Sequence, residues 1–205
     1  MATSISNNIS ESSVDKNPFI QFKRWYKLVN DSNISMFDAM ILATSTLNGI
    51  PSLRTVLLKS VDVNGFVFFT NYFSRKGKEL TENPNSALLF YWKELERQVR
   101  IEGKIEKVSR SESEEYFHSR PRESQIGAWV SNQSSEIPNR EFLDNKFNDL
   151  KKKFEDKEIP LPVYWGGYKL IPIYFEFWQG RENRLHDRIC YKKIKDEWKI
   201  FRLAP

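Results

Sequence analysis

Two Asn-Gly dipeptides, Asn48-Gly49 and Asn64-Gly65, separate short runs of β-favouring residues and constrain this chain more than any other local feature. Asn-Gly readily takes the positive φ angles of tight hairpin turns, so the runs on either side fold back antiparallel. Those runs, Ile41 to Leu47, Ser52 to Val61 and Phe66 to Asn71, predict a meander. Ahead of it, Phe19, Phe22, Trp25, Tyr26 and Val29 recur at helical spacing within Pro18 to Val29, with Asn17 as the cap and Pro18 in the first turn. After it, Ser74 opens a helix to about Glu82 that Asn83-Pro84 stops. Strands follow at Ala87 to Trp92 and Gln98 to Val108, then helices at Ser111 to Ser119, Ser124 to Val130 and Asn139 to Phe154. Strands return at Tyr168 to Trp178, Leu185 to Lys193 and Trp198 to Leu203. Many short strands with a few interposed helices predict a mainly β fold, an antiparallel barrel with helices packed around it, and leave the strand order open.

Composition narrows the function classes. A length of 205 residues suits one folded domain. The aromatic fraction of 14% fits a core packed on pleated strands, leaving one or two rings to stack on a planar ligand. The net charge of +5 admits anionic partners, yet basic runs such as Lys151-Lys152-Lys153 are followed by Glu155 and Asp156, the texture of a solvated helix face. Small phosphates therefore fit better than nucleic acid. Cys190 is the single cysteine, so no intramolecular disulfide forms, and with only His118 and His186 beside it no Cys/His zinc site is expected. No apolar run approaches the roughly 18 residues of a membrane helix. Residues 1–16, rich in Ser and Asn and without an apolar signal core, read as a flexible tail ahead of a folded domain at 17–205, and the cytoplasm is the expected compartment. Glycine-rich dinucleotide motifs, a P-loop and a Gly-x-Ser-x-Gly elbow are all missing, so a phosphate site must be built from strands and helix ends.

Four segments could build one. Ser74-Arg75-Lys76 places two cations in the first turn of a helix, where they oppose the macrodipole unless an anion joins them; extension into water is the equal alternative. In Ser119-Arg120-Pro121-Arg122-Glu123-Ser124, Tyr116 and Arg120 share a helix face, Pro121 ends that helix and Ser124 caps the next. A plain helix corner with a surface arginine explains that segment slightly better. Arg54 and Lys59, an odd interval apart, face opposite sides of a regular strand, so either they serve different ligands or a bulge or strand end intervenes. In Arg184-Leu185-His186-Asp187-Arg188, strand alternation gives Arg184, His186 and Arg188 one shared face. The aromatic strand Tyr174 to Trp178 just before it supplies an apolar wall, which favours a ligand site over a hairpin of solvated charges.

Taken in order, Arg54 to Lys59, Ser74 to Lys76, Glu96 to Arg100, Tyr116 to Pro121, Gln125 to Trp129, Phe177 to Gly180 and Arg184 to Arg188 resemble the pyridoxamine 5′-phosphate oxidase family, as does the closing Arg202-Leu203-Ala204-Pro205. The resemblance runs from about Asn17 to Pro205. It implies an FMN-binding split β-barrel of the Greek-key antiparallel kind, a homodimer with FMN at the subunit interface. The cofactor contacts it implies are Arg54, Thr55, Val56, Leu57, Leu58, Lys59, Phe69, Thr70, Arg75, Lys76 and Gln98, with Gln133, Ser134, Trp178 and Arg188, some of them from the second subunit. Lys59, Tyr116, Arg120 and Ser124 would hold the substrate phosphate, with Arg184 and His186 at the pyridine ring as the catalytic pair. The implied reaction oxidises pyridoxamine 5′-phosphate or pyridoxine 5′-phosphate to pyridoxal 5′-phosphate, with oxygen reduced to hydrogen peroxide and ammonia released from the amine. Phe69 stands where the family often has Tyr, and Arg181-Glu182-Asn183 departs from the pattern ahead of Arg184.

Overall fold

A computed structural model describes residues 8–205. Helix α1 (Pro18–Asp31) starts where the Asn17 side chain accepts a hydrogen bond from the Phe19 N–H. Strands β1 (Ala39–Ser45) and β2 (Pro51–Leu57) form the first hairpin, with Gly49 at φ +80° in its turn. Strands β3 (Ser60–Asp62) and β4 (Gly65–Asn71) form the second. Ser74 caps α2 (Arg75–Glu82), which leads to β5 (Asn85–Trp92) and β6 (Arg97–Lys107). Helices α3 (Arg110–Ser119), α4 (Arg122–Val130) and α5 (Arg140–Lys153) follow. The chain closes with β7 (Trp165–Gln179), β8 (Asp187–Ile194) and β9 (Glu197–Arg202).

All nine strands form one antiparallel sheet in the order β2-β1-β5-β6-β7-β4-β3, with β8 and β9 continuing from the second half of β7. The edge strands β2 and β3 are consecutive in the chain and joined by Leu58 and Lys59 alone, so the sheet must curl until its edges meet. No β2–β3 pairing closes the seam among the described residues, and the result is a mainly β split barrel with flanking helices.

Strand alternation puts one set of side chains inside: Met40 and Leu42, Phe66 and Phe68, Leu88 and Phe90, Val99 and Ile101, Phe175 and Phe177. Helix α1 lays Phe22 over them, 4.9 Å from the Phe66 ring and 5.1 Å from Phe90. Each such side chain contributes about 1.5–3 kcal/mol on burial. About half of the aromatic residues lie in or against this core. A second cluster, built on Phe117, Ile126, Val130, Phe154 and Trp165, fastens α3 to α5 against the start of β7.

The structure departs from the sequence expectations in four places. Residues 8–16 are not a flexible tail: Ile9 and Val14 are buried in the main core, the Tyr191 hydroxyl donates to Asp15 O at 2.6 Å, and Arg202 donates to Ile9 O at 3.1 Å. Two isolated apolar residues join a core that local composition does not reveal; residues 1–7 lie outside the described residues. The run from Ser52 to Val61 is two strands, broken at Leu58-Lys59 where the barrel edge turns. Helix α4 begins at Arg122, so Ser124 lies in its first turn and does not cap it. Strand β8 begins only at Asp187: Glu182 to Arg184 form a helical turn, with Asn183 at φ 55° and Arg184 at φ 61°. The alternation that gave Arg184, His186 and Arg188 a common strand face therefore does not hold.

Candidate active site

A cavity of about 970 Å³ opens at the barrel seam, between β2, the end of β4, the first turn of α2, and α3 and α4. Its lining brings together Arg54, Thr55, Val56, Leu57, Lys59, Phe69, Thr70, Arg75, Lys76, Tyr116, Arg120, Ser124, Gln133 and Ser134, all expected from the sequence. Five of these are cations, and no carboxylate is among the lining residues. Such a pocket selects anions. Arg54 and Lys59 both reach it, despite their odd spacing, because the strand ends between them.

At the α2 end, Ser74 caps the helix by accepting from the Gly77 N–H. This first turn packs tightly on the chain before it: a Cβ on Gly77 would lie 2.1 Å from Tyr72 O, so only glycine fits. The Arg75 N–H donates to Ser134 Oγ, and Lys76 Nζ donates to Gln133 Oε1 at 2.8 Å and to Thr70 Oγ1 at 3.3 Å. Burial, aided by the nearby Arg54 charge, pulls the Lys76 pKa down to about 8. Arg54 is lowered too, chiefly by burial.

At the α3–α4 end, Phe69 stacks on Tyr116 at 4.0 Å and on Trp165 at 5.5 Å, making an aromatic wall. The Arg120 guanidinium lies 4.7 Å over the Trp165 ring and donates through Nη2 to Ser124 O. Its Nη1 is buried with no hydrogen-bond partner among the described residues. A buried charged donor without a partner is costly, and an anion in the cavity would relieve that cost. Lys59 Nζ pairs with Asp38 at 3.2 Å.

The remaining expected residues do not line this cavity. Leu58 is buried, its N–H bonded to Asp38 O. Gln98, Trp178 and Arg188 lie side by side across β6, β7 and β8, on the sheet face that points away from the core. His186 packs 4.6 Å from the Trp178 ring, and its Nδ1 accepts from the Arg181 N–H. Arg184, nearby, is exposed in a left-handed conformation that is uncommon for a non-glycine residue and often marks a functional turn. Beneath them Glu176, 3% exposed, accepts from Arg188 at 2.9 and 3.1 Å and from Arg100 at 2.7 Å. Burial opposes its ionisation, but the two arginines outweigh it and hold the carboxyl below its ordinary value.

Sequence reasoning missed Glu176, Glu79 and Trp165. The Arg75–Glu79 interval of four was a usable signal for the second; nothing local marks Trp165, which reaches the cavity from a strand far along the chain.

Comparison with known proteins identifies the family. The family model described as pyridoxamine 5′-phosphate oxidase matches residues 31–153, and that of the pyridoxine 5′-phosphate oxidase C-terminal dimerisation region matches residues 165–205. A pyridoxine/pyridoxamine 5′-phosphate oxidase from a Nostoc species is 56% identical over 198 residues, covering 96% of this chain and 92% of its own. The one from Rippkaea orientalis is 54% identical, covering 97% and 94%. Among solved structures, PhzG from Burkholderia lata in complex with tetrahydrophenazine-1-carboxylic acid superposes with a TM-score of 0.91 at 30% identity, covering 97% of this chain and 98% of its own. With both halves of the sequence matched, the chain belongs to the FMN-dependent pyridoxine/pyridoxamine 5′-phosphate oxidase family.

Proposed function

We propose that the chain works as a homodimer that oxidises pyridoxamine 5′-phosphate and pyridoxine 5′-phosphate to pyridoxal 5′-phosphate, with oxygen as the final acceptor and in the cytoplasm. The observation that carries this reading is the cavity with five cations, no lining carboxylate and an aromatic wall. It offers two anion-binding ends for two phosphates. The residues fit FMN at the α2 end, where Arg75, Lys76, Gln133, Ser134 and Thr70 cluster, and the substrate phosphate at the other, where Arg120 has a free buried donor beside Tyr116 and Ser124. Lys59 would join the substrate end. No helix among the described residues is long and apolar enough to cross a membrane.

A second copy supplies what one cavity lacks. Eleven residue steps along β7 separate Gly167, which pairs with Phe69, from Trp178, about 36 Å along the strand. On the outward face, Leu53, Ile41, Leu89 and Tyr91 lie between the cavity edge and the Gln98–Trp178–Arg188 cluster. Leu53 is 68% exposed and Tyr91 57%, large apolar groups that a partner would cover. A two-fold axis through that strip exchanges the two regions, so each copy's Trp178, Arg184, His186 and Arg188 meet the other's cavity.

FMN, when bound, supplies the two-electron acceptor for the substrate's exocyclic carbon. The chain supplies alignment. Arg120, Tyr116, Ser124 and Lys59 hold the phosphate and so convert its binding energy into orientation of the ring. His186, with Nδ1 occupied by the Arg181 N–H, presents Nε2 to the ring, and Arg184 sits beside it to steady developing charge.

The purified chain should be yellow, and in air should convert pyridoxine 5′-phosphate to pyridoxal 5′-phosphate with peroxide. A yellow protein inert toward both phosphorylated vitamers would defeat the substrate assignment. A colourless one that takes up no FMN would defeat the cofactor site. Turnover of a non-phosphorylated carboxylic acid instead would show that Arg120 and Lys59 do not select phosphate.

A further inference from the structure

Glu79 is a buried carboxylate that the reaction does not use. It lies one turn past Arg75 on α2, with its side chain 5% exposed. Oε1 accepts from Arg75 Nε at 2.9 Å. Oε2 accepts from Ser52 Oγ at 2.6 Å, from Thr44 Oγ1, and from Arg54 Nη2 at 3.3 Å. A single carboxylate thus holds two cavity cations and ties α2 to β1 and β2.

The two arginines are held differently. Arg54 is tied at both ends, Nη1 to Leu42 O at 3.1 Å and to Thr44 Oγ1 at 2.6 Å, and Nη2 to Ser52 and Glu79. Arg75 is 61% exposed along its side chain, and Glu79 is its only side-chain partner among the described residues. Because guanidinium is planar, fixing Nε fixes the plane in which Nη1 and Nη2 point. Those two nitrogens stay free for a ligand.

We propose that Glu79 is a positioning residue for the phosphate of the cofactor: it does not touch FMN, but it orients Arg75 for that phosphate, while Arg54 keeps its seat on Leu42, Thr44 and Ser52. This rests on reading the α2 end of the cavity as the FMN phosphate site. Charge alone makes the opposite prediction. A negative group beside a phosphate site repels the ligand, so Glu79→Gln would tighten FMN binding if only the net charge mattered. Positioning predicts weaker binding, because Arg75 then loses the geometry for which its bidentate donors are suited. A purely structural staple between α2 and the barrel would weaken phosphorylated and unphosphorylated flavin alike.

The test is a flavin-fluorescence titration of the full-length chain stripped of flavin, with FMN and with riboflavin, which lacks the phosphate. Glu79→Gln should raise the FMN dissociation constant about tenfold, the scale of one charge-assisted contact, and leave the riboflavin constant unchanged. Arg75→Lys, which keeps the charge but has no plane to fix, should do the same and carries the test if Glu79→Gln fails to fold. In an Arg75→Ala background, Glu79→Gln should cost little more, since the two act as one unit. Tighter FMN binding by Glu79→Gln, equal losses for FMN and riboflavin, or unaltered binding by Arg75→Lys would each overturn the proposal. If Arg75→Ala weakens FMN and the other two variants do not, positioning alone fails. If Arg75→Ala has no effect on FMN, the phosphate site itself has been misplaced, and the proposal falls with it.

Discussion

Two regions of this molecule use the same device, a buried glutamate gripping two arginines, to different ends. At the seam, Glu79 holds Arg54 and Arg75 inside a cavity that the chain encloses with its own helices. On the outward face of the sheet, Glu176 holds Arg100 and Arg188 beside Trp178 and His186, none of which lines that cavity. In both clusters the carboxylate restrains long arginine side chains, and restraint of that kind spares binding the cost of ordering them. The difference lies in closure: the first is a pocket, and the second, on the function proposed above, is one wall of a pocket that a second copy completes.

The largest test of that contrast is complementation. Arg184→Leu on the outward cluster should cut turnover by about a hundredfold or more while FMN content stays near normal, since misalignment of the ring is costly. Mixing that variant with Arg120→Ala from the cavity should restore about a quarter of normal activity, because a mixed two-fold dimer regains one intact site. No recovery on subunit exchange would mean that both regions serve the same chain's site. Next in size, Arg120→Ala should raise KM for the phosphorylated substrate about 10- to 100-fold, the worth of a buried charge-assisted contact, with FMN affinity unmoved. Steady-state kinetics beside flavin titration separates the two constants.

A smaller effect sharpens the electrostatics of the enclosed half. Lys76 in the free cavity has its pKa lowered to about 8, so it is charged below that pH and neutral above it. FMN affinity should therefore fall as pH rises through about 8, by at most roughly tenfold per pH unit for one linked proton. Lys76→Met should bind FMN more weakly and lose that dependence; a flat profile in the unaltered protein would exclude the linkage. The smallest concerns acid stability. Burial opposes ionisation of Glu79, yet hydrogen bonds from Ser52, Thr44 and Arg75 and the Arg54 charge hold its pKa at about 2. A depressed carboxyl stabilises the fold above its unfolded value and loses that contribution as pH falls, here between about 4.5 and 2. Urea unfolding across that window should show the decline, and Glu79→Gln should flatten it.

Much of the fold was legible because its signals are local. Asn17 and Ser74 cap the helices that their side chains announce, and the turns at Gly49 and before Gly65 set the first two hairpins. The site was legible in parts: the cations at Arg54, Arg75, Lys76 and Arg120 could be picked out, and the family resemblance gave them roles. Local periodicity failed where the chain leaves regular structure. Extending strand alternation back through His186 to Arg184 missed the helical turn at Glu182 to Arg184, and treating Ser52 to Val61 as one strand missed the break that turns Lys59 into the cavity. Residues 8–16 looked like a tail because Ile9 and Val14 are isolated in a polar stretch, and only their tertiary packing against the barrel makes them core.

What the sequence determined by itself was the set of elements and the kinds of side chain at their ends, since capping, turn chemistry and alternation act over a few residues. Tertiary structure decided which of those ends meet. The curl of the sheet, forced by the short link between β2 and β3, gathers Arg54, Lys76 and Arg120 from distant segments into one cavity. The same curl turns Gln98, Trp178 and Arg188 outward, away from it. That division between an enclosed half and an open one depends on strand order and sheet curvature, which are sums over long-range pairings that no local window of sequence contains.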